Sequence, residues 1–521
     1  MLNKKMKIRR TFYTLFGCGL FIFLAFFYRS HILFIEQLSF FHYTSAFWKQ
    51  FAFQPGGWAV YCGNFLAQFY INSWAGALIQ TLLALLLLII SENILKKTGV
   101  RSDWLLTGLI PALLLAALQL NRHFTPGDAL IFITPFALVL IYMNISNVWA
   151  RRLGYSLAIV PIYLFSGAIP TVCLFTACMI YELLYAKDKM RFSTPLWIMV
   201  VILLPFLWQS VYSTPNRDLF KIPYREYNLF PKMYNRLEEQ KFAMSIAASQ
   251  DKWDDVLKIS ARVKTPDNHT AFFTNLALSM KGELPQMMFH FQQTNENGLF
   301  LLRIDEWEEF HLRYGSEFFY RIGILNEAIR WIFDANILRA QGADYHTLTR
   351  LAVWNKENGY DRVAAKYFDI LEGTMMYRKW AKDKRKQPNP KNIKFNENVK
   401  EFYVGGRILI SELVQHYENN PQNTMIPDYL LCYMLLQNDI DKFLALFNIL
   451  YNNTSTRIPQ AYQEALLSAA NMSKIDPRKY PIDRENEIRF REFIEYSSNG
   501  NKHILKERFG DTWWYYSYLF L

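Results

Sequence analysis

Cysteine is scarce: the 521-residue chain has five, and Cys18, Cys173 and Cys178 lie inside apolar runs, where a thiol is usually a small hydrophobe. A disulfide framework is therefore not expected, and neither is a Cys62–Cys432 bridge. The nine histidines fall at no metal-ligand spacing, so no metal and no cofactor are expected. Also missing are a glycine-rich phosphate loop, a dinucleotide fingerprint and a defensible Ser-His-Asp set, which argues against enzymology in a soluble domain. Charge is thin within the apolar runs, all of which fall before residue 213.

What is present fits two unlike halves. A hydrophobic content of 52% with 17% aromatics is high for a soluble chain and low for one that is membrane throughout. The start "NKKMKIRR" leads into an apolar run, Thr11 to Phe27, with no small-residue cleavage site: an uncleaved signal anchor with its N-terminus inside. Further spans are predicted at Trp74–Leu95, Trp104–Leu120, Asp128–Val148, Leu153–Ile169, Thr171–Ala186 and Thr194–Tyr212, about seven in all. Lys96, Lys97 and Arg101 follow the second span, Arg151 and Arg152 the fourth, and Lys187, Lys189 and Arg191 the sixth. Basic exits on one side place those loops inside, and an odd count carries the rest of the chain outside. The net charge of +12 is thereby assigned to topology, and no nucleic-acid partner is expected. The fifth connection is read as a tight turn at Pro170.

The chain therefore divides into a membrane domain over 1–213, with an outer amphipathic loop at 29–73, a connector over 214–235, and a helical domain over 236–521. Within the last, "DKWDDVLK", "GELPQMMF", "GILNEAIR", "NGYDRVAA" and "NDIDKFLA" share an apolar residue, two mostly polar ones and another apolar residue. They recur at intervals of about 31 to 41 residues, with one double interval, the signature of a helical repeat. The basic stretch near 377–396 reads as an insertion, and "TWWYYSYLFL" as a last helix docked on the core. Of the polar residues inside spans, Glu92 and Glu182 reach the inner ends, and Gln80 and Gln119 are suited to bonds between helices.

The first outer connection holds one carboxylate, Glu36, a Pro-Gly-Gly turn at Pro55 to Gly57, the amides Asn64 and Gln68, and many aromatics. Short amphipathic helices are expected there, broken at the glycines.

Three resemblances rest on these residues. The pattern "EQLSFF", "PGGWAVYCGNFLAQF" and "WAGALIQTLLALLL" is similar to an uncharacterised family of multi-pass membrane proteins from Bacteroidota. The unit "LTRLAVWNKENGYDRVAAKYFDILEGT" resembles a tetratricopeptide repeat, with Leu351 and Ala352 in the first helix and Ala364 and Phe368 in the second; Asn355 departs from the usual Tyr. That resemblance implies an all-α protein whose solenoid follows the membrane helix bundle, with a groove at Trp354, Asn355 and Tyr360 for a protein or peptide. The first outer loop also resembles that of the C-type integral-membrane glycosyltransferases. This implies Glu36 as catalytic acid or base, and Arg122 and His123, helped by Asn121 and Asp128, as holders of a polyisoprenoid-phosphate lipid. Glu36 departs from that pattern in being followed by Gln37 rather than a second acid. The expected function is an interaction scaffold in the inner membrane with its C-terminal domain in the periplasm; the alternative is an enzyme using a lipid-phosphate-linked sugar.

Overall fold

The structure, a computed structural model, describes residues 2–100, 106–185, 193–211, 218–221, 233–300, 309–338, 342–388, 409–451, 457–498 and 502–519. Every regular element among them is helical. The chain forms two compact units: Met1–Glu239 with Asp344–His346 and Asp369–Asp383, and Gln240–Ala343 with Thr347–Phe368 and Lys384–Leu521. Two short segments of the second half thus belong with the first. Most of the expected connector, and residues 389–396 of the basic stretch, lie outside the described residues.

The first unit is built from α1 (Leu2–Phe27), α2 (Arg29–Gln37), α3 (Ser45–Ala52), α4 (Gly57–Ala67), α5 (Ser73–Lys97), α6 (Leu109–Leu118), α7 (Pro126–Asn144), α8 (Val148–Ser166), α9 (Ala168–Tyr185) and α10 (Ser193–Trp208). A helix occupies each expected span, but only four among the described residues are long and apolar enough to cross a membrane: Arg9–Phe27, Ser73–Lys97, Pro126–Asn144 and Ala168–Tyr185. α6 and α10 are apolar but shorter, and α8 begins with two arginines. Among the described residues, then, four spans of membrane length are present and seven are not clearly seen. The turn expected at Pro170 sits instead at Gly167, whose φ of 79° suits a residue without Cβ. Pro170 falls in the first turn of α9, where a missing N–H costs no helical bond.

Two glycines explain the broken loop. Gly56 takes a left-handed φ of 73° and caps α4. Gly63 of α4 meets the backbone of Gly127 in α7, where a Cβ on Gly127 would stand 2.9 Å from the Ala59 carbonyl oxygen. Glycine on both helices thus lets the backbones touch. Around α3 and α4 the aromatics fill the space themselves: Phe41, Phe47 and Phe51 are buried, with Phe40 and Tyr61 packed against them. The amide of Gln119 donates to the Gln80 carbonyl at 3.2 Å, and Glu92 pairs with Arg9 at 3.0 Å and Lys96 at 2.6 Å.

From Arg236 the helices come in pairs: Arg236–Ser249 with Trp253–Ser260, Asn268–Met280 with Leu284–Met287, Glu309–Ile322 with Leu325–Leu338, Tyr345–Glu357 with Asp361–Glu372, and Met425–Leu436 with Ile440–Leu450. Each pair turns on one left-handed residue, Asp251, Gly282, Gly323, Gly359 and Asn438, with φ between 55° and 88°. This conformation ends a helix by letting the next N–H groups bond back to its last carbonyls. The recurring stretches in the sequence are the second helices that follow these turns. At the C-terminus, Trp513–Tyr518 does dock as a helix. The Trp513 N–H donates to Glu464 at 2.6 Å, and the indoles of Trp513 and Trp514 donate to the Leu435 and Glu464 carbonyls at 2.8 Å.

Candidate functional site

α2 is only nine residues long, and a carboxyl group stands near each end. At its start, the first free N–H groups of a helix need acceptors. Glu239 supplies them, accepting from the Ser30 N–H at 2.6 Å and the His31 N–H at 3.2 Å. Burial pushes the Glu239 carboxyl up to about 7, although the Ser30 and His31 bonds pull it down.

Near the other end stands Glu36, 3% exposed. The Tyr377 hydroxyl donates to its Oε1 at 2.9 Å. Tyr377 stacks on Tyr345, ring centroids 4.4 Å apart, and Tyr345 is fixed to the chain after α2: its N–H donates to the Ser39 carbonyl at 3.0 Å, while its hydroxyl accepts from the Phe41 N–H at 3.3 Å. Ser39 in turn donates from its hydroxyl to the Glu36 carbonyl at 2.9 Å. Burial pushes the Glu36 carboxyl up to about 8; the Tyr377 bond opposes this and the buried Asp344 carboxylate adds to it. At neutral pH Glu36 is thus mostly protonated, able to give a proton and ill suited to act as a standing base.

The second predicted cluster is one turn between α6 and α7. Arg122 donates from Nε to His123 Nε2 at 2.9 Å and lies 3.9 Å from Glu238, with its side chain about a third exposed. The Asn121 side-chain oxygen accepts from the His123 N–H at 3.1 Å. Asp128 is occupied as a helix cap: its Oδ2 accepts from the Thr125 N–H at 2.7 Å and the Thr125 hydroxyl at 2.8 Å, and the Thr125 hydroxyl oxygen accepts back from the Asp128 N–H. Arg122, His123 and Asn121 are therefore linked in one turn, Asp128 is taken up by Thr125, and Glu36 bonds to a different set of residues. Of the three groove residues, Trp354 is buried with its ring stacked on Tyr320 at 4.8 Å, and Asn355 is buried and donates to the Leu351 carbonyl at 2.8 Å. Only Tyr360 is exposed.

Tyr377, Tyr345, Asp344 and Glu239 were not among the residues singled out from sequence. Their partners lie some two hundred to three hundred and forty positions earlier, and nothing in the local pattern marks a tyrosine as the donor to a distant acid. Comparison with curated proteins gives no match, and comparison with solved structures gives none. Residues 4–520 match the family of unknown function DUF6057, and the chain belongs to that family.

Proposed function

We propose that this protein is an interaction scaffold of the inner membrane: its N-terminus is cytoplasmic, α1 and α5 to α10 make about seven crossings, and its second unit is a tetratricopeptide-like array in the periplasm that binds a protein partner. The observation that carries this is an apolar surface on the second helices of successive pairs. Phe333 and Ile337 on Leu325–Leu338 are 43% and 61% exposed, and Tyr360, at the start of Asp361–Glu372, is 53% exposed. Large apolar side chains left in water on neighbouring helices suit a partner's surface. Lys96 and Lys97 at the end of α5, the second predicted span, support the orientation.

A photo-crosslinking residue at 337 or 360, in the full chain in cells, tests this reading. The expected result is one discrete protein adduct at both positions, lost with Phe333→Asp and kept with Glu36→Gln. Adducts to lipid alone, or none, overturn it.

One observation favours a second reading, an enzyme acting on a polyisoprenoid-phosphate-linked sugar. Burial keeps Glu36 protonated to about pH 8, the state that a general acid needs. Turnover of such a donor by the purified chain, abolished in Glu36→Gln, would establish it. Turnover unaffected by that change would remove Glu36 from the chemistry.

A further inference from the structure

Arg151 and Arg152 open α8, where positive residues ordinarily sit in water and set topology. Here both are buried, their side chains only 7% and 9% exposed. Both turn to one carboxylate, Glu182 of α9: Arg151 Nη2 stands 3.5 Å and Arg152 Nε 3.9 Å from the same Oε1. The Tyr142 hydroxyl, at the end of α7, donates to that oxygen as well. That oxygen accepts from Tyr142 and Arg151 and only faces Arg152, while Oε2 of Glu182 is buried without a hydrogen-bond partner. Arg152 comes off worst, because its Nε and Nη2 are buried without a hydrogen-bond acceptor, and 3.9 Å is too long to be one.

A guanidinium taken out of water with its N–H groups unmet is among the costlier arrangements a fold can hold. What would meet it is an anion with several acceptor oxygens. Two neighbouring planar forks match a phosphate, which accepts paired N–H bonds from each. Glu182 holds the forks in place while the site is empty and competes with the anion once it arrives.

We propose that Arg152, with Arg151 beside it, is the centre of a phosphate-binding site at the end of α7 remote from the Arg122 turn. The phosphate is that of a lipid headgroup or of a free anion. Exposed Trp149, Leu153 and Leu184 border the site in sequence, which favours the lipid, because an apolar rim with Trp suits the edge of a bilayer.

The test uses the full chain purified in detergent, with dioleoyl-phosphatidylglycerol titrated by native mass spectrometry and inorganic phosphate by calorimetry. Arg152→Gln should weaken binding by about tenfold or more, the loss expected for a charged hydrogen-bond donor. If that variant does not fold, Glu182→Gln decides: removing the competing carboxylate should tighten binding about tenfold, whereas a purely structural ion pair predicts no gain. Retention of phosphatidylglycerol without phosphate binding identifies a lipid site, and phosphate binding with the same response to the variants identifies a free anion. Binding of neither probe, or binding that both variants leave unchanged, overturns the proposal.

Discussion

Glu36 is the residue on which chemistry and packing meet. Its carboxyl titrates near 8 in the folded chain against 4.5 when free, so ionising it costs the folded state more than the unfolded one. Its contribution is therefore fully present below pH 4.5, is lost progressively as the pH rises to about 8, and stays constant above that. The difference is on the order of a few kcal/mol. Thermal unfolding of the full chain in detergent should show a melting temperature that falls across this window in the wild type. In Glu36→Gln that part of the slope should vanish, and the variant should be the more stable one at pH 8. Tyr377→Phe removes the one bond that lowers the Glu36 pKa. The midpoint of the carboxylic acid band in infrared titration should accordingly move up; a midpoint that stays or falls would mean that Tyr377 does not donate to Glu36. Little of this could be read from the chain. Glu36 stood out as a lone acid among aromatics, but its burial comes from the fold and the groups that adjust its pKa arrive from positions 344 and 377, which no periodicity links to it.

Helices and turns were far more legible, because their signals are local. Apolar runs marked α1, α5, α7 and α9, and the Pro-Gly-Gly stretch marked the break before α4. What was misjudged was length and exact turning point: Gly167 rather than Pro170 ends α8, since φ decides and proline tolerates a helix's first turn. The five recurring stretches fall on the second helix of each pair, and the left-handed residue before that helix varies among Gly, Asp and Asn. Two outcomes follow at this scale. Gly127→Ala should destabilise the first unit by about 1–3 kcal/mol, because its Cβ would press on the Ala59 carbonyl and the Val60 Cα at 2.9 and 3.1 Å. A melting temperature equal to wild type would show that α4 and α7 can part without cost. Ser473, which follows Gln460–Asn471 with a φ of 59°, has the conformation that an L residue adopts at a cost. Ser473→Gly should raise stability, and Ser473→Val should lower it, by about 1 kcal/mol, as read from unfolding of the full chain.

For the molecule as a whole, the central claim is that a membrane-embedded first unit carries a helical second unit on the outer side. Four membrane-length helices make membrane insertion a physical expectation, because exposed apolar surface of the kind on α1, α5, α9 and α10 is not stable in water. The side on which the second unit lies depends on whether the crossings are odd in number. The most direct measurement is accessibility of a single cysteine. In a chain whose five cysteines are replaced by serine, Tyr360→Cys is treated with a membrane-impermeant maleimide on intact spheroplasts. The account predicts labelling before lysis, at the level reached after lysis. Labelling that appears only after lysis would put the second unit inside and contradict it.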